Sequence, residues 1–235
     1  MSSNPGTLIM TSVDSIHLRE GEQPNKPLII ACIPAYNEER AIASVIMRTQ
    51  KHVDGVIVCD DGSTDMTGEI AERLGAIVLK HPKNLGKGEA LRTLFTYALK
   101  SNPSVIVALD ADAQHDPDEI PKLVKPILNN DADMIIGSRF IDGASTDIPP
   151  YRIAGTKIIN WLSGKQVKDL QSGFRAFSRK ALVTLLECES MGYGVEQEQV
   201  ALAVKNNLRI VEIPISVRYG GLDKTSKKGP IAHGL

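Results

Sequence analysis

The sequence predicts an α/β protein with a Rossmann-like, doubly wound, mostly parallel sheet and helices on both faces. Three observations carry that expectation. Five short apolar runs recur along the first 137 residues, they are continuous rather than alternating, and each is followed by turn-forming residues and a stretch long enough for a helix. Strands buried on both faces and separated by helices require parallel pairing with crossover connections.

Residues 1–27 mix Ser, Asn, Pro and charge without periodicity and read as a mostly irregular N-terminal arm, in which Leu8-Ile-Met10 is the one run able to join a sheet. Leu28–Ile33 is the first strand and Arg40–Gln50 the first helix. Gly55–Cys59 is the second strand, with a helix over Met66–Leu74 closed by Gly75. Ala76–Lys80, Val105–Leu109 and Asp133–Gly137 are the next strands, separated by helices ending near Lys100 and Leu128. Ser138–Pro150 then breaks the rhythm with Gly, Pro, Asp and Ser, and reads as a candidate lid. Tyr151–Leu162, Arg179–Leu186 and Gly194–Asn206 have helical patterns. Ser172–Phe177 and Arg209–Tyr219 read as extended, with Pro214 weakening the second. The domain is expected over residues 28–220, before a Lys/Gly-rich tail, 221–235.

Composition narrows the function. A chain of 235 residues, 42% hydrophobic, can bury a sizeable core. Its 27 basic and 28 acidic residues create no overall field for nucleic acid or a membrane, so basic function must be local. Cys32, Cys59 and Cys188 show no CxxC spacing, and the first two lie in apolar runs, which suits a reducing compartment. No run approaches the ~18 apolar residues of a membrane span, and the N-terminus lacks a signal peptide's basic and apolar regions. The expected location is the cytoplasm, with at most a peripheral place on the cytoplasmic face of a membrane.

Chemistry concentrates at Val105-Ile-Val-Ala-Leu-Asp-Ala-Asp-Ala-Gln-His-Asp-Pro117, an apolar strand running into carboxylates. Asp110 and Asp112 stand at i and i+2, on one face of an extended chain, with Gln114 next. Mg²⁺ or Mn²⁺ takes one or two carboxylates from protein and completes its sphere with water and substrate phosphates, so the set implies a phosphorylated ligand. The competing reading is an acidic turn in which Asp116 caps the next helix, with Pro117 at N1 and Glu119 at N3. That reading leaves Asp110 and Asp112 unexplained at the place where an open α/β sheet puts its ligands.

Neighbouring strand ends offer similar groups. Tyr36 can stack on a base, and Glu38 and Asp61 can hydrogen-bond a ribose or base edge. Equally, Asn37–Glu39 and Ser63–Asp65 read as helix caps. Gly86-Lys-Gly88 fits neither GxxxxGK[ST] nor GxGxxG, which leaves Lys87 at a helix N-terminus as a weak anion site. His52, His81 and His115 share no metal-ligand spacing and read as surface or turn residues. Only His115 lies near the proposed chemistry.

Taken together, Ile33-Pro-Ala-Tyr-Asn-Glu38, Asp60-Asp-Gly-Ser-Thr-Asp65, Asn84-Leu-Gly-Lys-Gly88, Asp110-Ala-Asp-Ala-Gln-His115, Gly137-Ser-Arg139 and Asp169-Leu-Gln-Ser-Gly-Phe174 resemble the family 2 inverting glycosyltransferases. The nearest branch is the polyprenyl (dolichol) phosphate mannosyl- and glucosyltransferases. The resemblance implies a GT-A fold, with a nucleotide site at Pro34, Ala35, Tyr36, Glu38 and Asp61 and with Asp110 near the ribose. Asp112 and Gln114, beside Asp110, would hold Mg²⁺ or Mn²⁺ on the diphosphate. Arg139 and Arg152 would meet donor or acceptor phosphates, with Arg218 and Lys224 as looser matches in the segment that folds over the donor.

The implied reaction moves a hexose from GDP-mannose or UDP-glucose to a polyprenyl phosphate at a membrane surface. That acceptor is already anionic and needs no base. A hydroxyl acceptor on a glycan or small molecule would need one, for which Asp169 is the candidate, unless Asp169 caps its own loop. Many relatives continue into membrane-spanning helices, whereas this sequence stops at Leu235, so Lys224-Thr-Ser-Lys-Lys228 either meets lipid headgroups or forms a solvated tail. A sugar-nucleotide pyrophosphorylase should open with a Gly-rich phosphate loop after the first strand, where Pro34-Ala-Tyr-Asn-Glu38 stands. A non-catalytic nucleotide-sugar binding protein should have lost Asp112 or the phosphate-facing arginines, and none is missing.

Overall fold

A computed structural model of the chain describes residues 26–146, 167–188 and 194–217, together with the backbone of a short strand, β1, at Ile9–Met10. The elements that follow are β2 (Ile29–Ala35), α1 (Ile42–Thr49), β3 (Gly55–Asp60), α2 (Thr67–Arg73), β4 (Ile77–Lys80), α3 (Lys87–Ala98) and β5 (Val105–Ala108). Next come α4 (Ile120–Leu128), β6 (Met134–Ser138), β7 (Ser145–Thr146), β8 (Arg175–Ser178), α5 (Arg179–Leu185), α6 (Val195–Lys205), β9 (Ile210–Pro214) and β10 (Ser216–Val217).

The main sheet has the order β1-β4-β3-β2-β5-β8-β6-β9. Its centre, β4 to β5, is parallel throughout, as the alternation of strands and helices requires. Two features lie outside that pattern. β8 enters antiparallel between β5 and β6, and Ile9–Met10 of the arm adds antiparallel to β4. Neither pairing leaves a mark on local periodicity, because both join segments distant in sequence.

Continuous apolar strands fill two cores at once. Ala31, Ile33 and Ala35 of β2 face a layer built with Ile42, Val45 and Ile46 of α1 and Leu123 and Val124 of α4. Ile30 and Cys32 face the opposite layer, with Leu91, Leu94 and Phe95 of α3 and Leu182 of α5. Alternate residues thus serve opposite faces. Cys32, Cys59 and Cys188 are all buried and unbridged, acting as small hydrophobes.

Several local expectations need correction. Asp116 does accept from the Asp118 N–H at 3.0 Å, with Pro117 opening a 3₁₀ turn ahead of α4. Glu119, however, completes no capping box: its carboxylate accepts from the Ser216 N–H at 2.9 Å and from Lys122 at 2.9 Å. Within Ser138–Pro150, Ser145–Thr146 pairs in parallel with Ser216–Val217, so part of the expected lid is sheet. The helix expected over Tyr151–Leu162 lies outside the described residues. No helix among the described residues is long and apolar enough to cross a membrane.

Candidate active site

The chain leaves β2 outward to β3 and β4, then returns across the sheet to β5 on the other side of β2. The carboxyl ends of β2 and β5 therefore border a topological switch point, the usual ligand crevice of an open α/β sheet. Pro34 and Ala35 end β2 there, Asp61 follows β3, Asp110 to Gln114 follow β5, and Lys87 opens α3.

Two loops are laced together at this rim. Asn37, in the left-handed region at φ 56°, receives the Thr64 N–H at 2.9 Å and donates its own N–H to Ser63 at 3.0 Å. The Glu38 N–H donates to Thr67 at 2.7 Å. Asp65 and Glu39 do act as caps, accepting from the N–H groups of Thr67 and Met66. Tyr36 stands 45% exposed and takes no part in the core. Gly62 has φ +73°, and a Cβ there would lie 2.4 Å from the Lys83 carbonyl carbon, so no other residue fits the turn.

Asp61 is buried, and all its described bonds are internal. Its carboxylate accepts from the N–H groups of Leu85 and Gly86, both at 2.9 Å, and contacts His81 Nδ1 at 2.7 Å. His81, expected as a surface or turn histidine, does lie in the turn after β4 but is buried there, its Nε2 reaching Thr93 at 2.9 Å. His115 is corrected likewise: it is 7% exposed and packs on Phe174 with ring centroids 5.3 Å apart. His52 remains near the surface, paired with Asp118 at 2.9 Å. The residues that bury His81 and His115, among them Asp61, Thr93 and Phe174, come from distant parts of the sequence and leave no spacing to read.

The β5 loop carries the densest charge. Ala113 sits at φ 59°, turning the chain so that the Gln114 N–H returns to Asp112 at 3.0 Å. Lys87 bridges Asp110 at 2.6 Å and Glu196 at 2.7 Å. Burial opposes the charge of Lys87, yet these two carboxylates hold it well above the ordinary lysine value. Burial likewise opposes ionisation of Asp110, but Lys87 beside it keeps its carboxyl below the usual range. Asp112 has no ion-pair partner among the described residues: burial, then the charge of Asp110, pushes it up to about 6. Glu38 is pushed up to about 7 by burial, then by Asp112, Asp65 and Asp110. Burial lowers His115 to about 4, so its ring is neutral, with Nδ1 4.0 Å from Asp110.

Across the crevice, Arg139 clasps Asp169. Its backbone N–H donates at 3.0 Å, Nε at 2.7 Å and Nη2 at 2.7 Å, and both carboxylate oxygens are engaged. Asp169 is fully buried. Behind it, buried Arg175 donates to the carbonyls of Leu170, Ser172 and Glu196 and to the Gln199 side chain, fastening this loop to the start of α6. Arg152, Arg218 and Lys224 lie outside the described residues.

Among the described residues no group of three or more His, Cys, Asp or Glu could hold a metal unaided. The donor set nevertheless fits a hard divalent cation that keeps water and phosphate ligands: Asp112 is short of positive charge, Gln114 stands beside it, and Asp110 is adjacent.

A crevice of this kind, at the switch point of a mostly parallel sheet and lined by carboxylates from three strand ends, is the GT-A layout. The chain belongs to glycosyl transferase family 2, whose family model matches residues 30–186, and it is a glycosyltransferase. It is 39% identical over 202 residues to an uncharacterised protein of Methanocaldococcus jannaschii, covering 83% of each chain. It is 35% identical over 216 residues to the UDP-N-acetylglucosamine–dolichyl-phosphate N-acetylglucosaminyltransferase of Methanococcus voltae, covering 82% of this chain and 86% of that one. The polyprenol monophosphomannose synthase of Mycolicibacterium smegmatis is 31% identical over 217 residues, 84% of this chain and 80% of that one. Among solved structures, glucosyl-3-phosphoglycerate synthase from Mycobacterium tuberculosis superposes with a TM-score of 0.67 at 27% identity, over 84% of this chain and 73% of that chain. The same enzyme is known in complex with Mn²⁺, UDP and glucosyl-3-phosphoglycerate, with a TM-score of 0.65.

Proposed function

We propose that the protein transfers a hexose, with inversion, from a nucleotide diphosphate sugar to a polyprenyl phosphate. The observation that carries this reading is the Asp112 carboxylate, raised by burial and by Asp110 and with no ion-pair partner among the described residues, beside Gln114 at the crevice of a chain whose relatives are named for dolichyl- and polyprenyl-phosphate acceptors. Asp112 and Gln114, with Asp110, would hold Mg²⁺ or Mn²⁺, which when bound neutralises charge growing on the departing diphosphate. Pro34, Ala35, Tyr36 and Glu38 form the rim assigned to the nucleoside. Asp61 acts from below, fixing the Leu85–Gly86 turn that presents Lys87.

In the transfer itself an acceptor oxygen forms a bond to the sugar's anomeric carbon as the bond from that carbon to the diphosphate breaks. A phosphate acceptor brings its own negative charge, so the protein must orient it rather than deprotonate it. Arg139, Arg152, Arg218 and Lys224 are the cations assigned to that task. Asp169 supports the same choice of acceptor: with both oxygens engaged by Arg139, it is committed to holding that arginine rather than to taking a proton. The name of the structural neighbour, a glucosyl-3-phosphoglycerate synthase, favours a second reading with a hydroxyl acceptor.

The test is transfer of labelled sugar from GDP-mannose, UDP-glucose and UDP-N-acetylglucosamine, with and without Mn²⁺, into an organic-extractable product in the presence of a polyprenyl phosphate. Metal-dependent label in that phase is expected. Label appearing only on hydroxyl acceptors, or none at all, would overturn the proposal.

A further inference from the structure

Nothing in the local sequence pattern separates Glu196 from Glu198 on the same helix. In the structure Glu196 is 4% exposed and reaches the Lys87 ammonium at 2.7 Å, from a helix that starts one residue earlier. Its place is fixed independently of that contact. The Glu196 carbonyl accepts from Arg175 at 2.8 Å, and Gln199 one turn on accepts from the same guanidinium at 3.0 Å. The carboxylate also sits in the first turn of α6, where the helix dipole favours negative charge.

On its other side Lys87 meets Asp110 at 2.6 Å. The approach leaves little room beside it: a Cβ on Gly173 would lie 2.5 Å from Asp110 Oδ2 and 2.7 Å from Lys87 Nζ, so a side chain there would push these two groups aside. Four segments far apart in sequence therefore converge on one ammonium group.

Resting on the reading of Asp110 and Asp112 as the donor site, we propose that Glu196 is a positioning residue. As the second carboxylate on Lys87, it holds the ammonium at Asp110 and keeps it paired when Asp110 turns to an incoming nucleoside diphosphate and its cation. A lysine with Asp110 as its sole partner would have to give up its only counter-charge in a largely desolvated place each time the donor bound. With Glu196 present, the release of Asp110 leaves Lys87 charged, paired and beside the diphosphate.

The experiment is calorimetric titration of UDP and of GDP, each with Mn²⁺, into the full chain and its Glu196→Gln, Gly173→Ala, Lys87→Met and Lys87→Met/Glu196→Gln variants, with unfolding midpoints read alongside. Glu196→Gln is expected to raise the Kd of whichever diphosphate the wild type binds by about tenfold while staying folded at the titration temperature, its midpoint lowered by the loss of one of the two carboxylates on Lys87. Gly173→Ala keeps all three charges but separates Lys87 from Asp110, and should reproduce the loss. In the Lys87→Met background, Glu196→Gln should add nothing, since it acts through that lysine. If Lys87→Met does not fold, the other two single variants decide. Wild-type affinity in Glu196→Gln, or losses that simply add in the double variant, would overturn the proposal while leaving the donor site standing. A wild type that binds neither diphosphate would remove the donor-site reading and this inference together.

Discussion

Replacing Asp112 by Asn should make the metal-free protein more stable while abolishing its transferase activity. Asn is isosteric and keeps an oxygen for the Gln114 N–H, so the turn survives. What it removes is a carboxylate whose protonation is shifted from an ordinary value near 3.8 to about 6, first by burial and then by Asp110. An acid raised in the folded state binds a proton there that the unfolded chain has already lost. Its contribution therefore falls as pH climbs between those two values, and the full penalty stands above about 6. A shift from 3.8 to about 6 is worth roughly 3 kcal/mol at most. Asp112 is only partly buried, so solvent screens it and about 1–2 kcal/mol is the realistic gain. Urea unfolding in EDTA at pH 4, 6 and 8 measures it. The variant should match wild type near pH 4 and exceed it by that margin at pH 8. A variant equal to or weaker than wild type at pH 8, or a gain independent of pH, would refute the reasoning.

Three further outcomes follow from the same charges. Arg139→Ala strands the fully buried Asp169 carboxylate and should cost about 3–5 kcal/mol in a denaturant titration. Adding Asp169→Asn should restore most of that stability and none of the activity. His81→Phe removes a bond to Asp61 and another to Thr93, and should cost about 1–3 kcal/mol. Because Asp61 then loses one of its three anchors, the donor KM should rise more than kcat falls. Mn²⁺ should raise the unfolding temperature of the wild type more at pH 8 than at pH 5, where Asp112 is still largely protonated, and should lose that difference in Asp112→Asn.

Most of the sheet was legible because its signal is local. A run such as Ile29–Ala35, buried on alternating sides in two cores, must be continuous and apolar, and the turn residues after it mark where the strand ends. The antiparallel entry of β8 was not legible, since Arg175–Ser178 looks the same whether its neighbour runs with it or against it. The carboxylate positions were legible as strand-end residues, but their states were not. Nothing local tells Asp61, which anchors the Leu85–Gly86 turn, from Asp112, which anchors little. Glu196 lies 109 positions from Lys87 by their numbers in the sequence, and only the fold brings the two together. The histidines failed for the same reason: spacing rules find residues that share a metal, not a histidine that supports a distant aspartate.

Partner and burial together sort the acidic side chains by what they can do. Asp61 and Asp169 are buried with both oxygens engaged by donors, and each holds another group in place: the Leu85–Gly86 turn in one case, Arg139 in the other. Asp110 is intermediate, paired with Lys87 but positioned where that pairing can be exchanged. Asp112 and Glu38 have no cation against them among the described residues, and both are pushed toward the protonated form at neutral pH. A fold keeps such charge only at a cost in stability, and a site proposed to receive a cation and a diphosphate is where that cost has a use. The sorting makes the sign of each substitution diagnostic. Neutralising Asp61 or Asp169 should lower stability, whereas neutralising Asp112 or Glu38 should raise it at pH 8 and impair catalysis. If Glu38→Gln instead destabilised the protein at pH 8, Glu38 would belong with the holding residues, and the negative potential assigned to the donor site would rest on Asp110 and Asp112 alone.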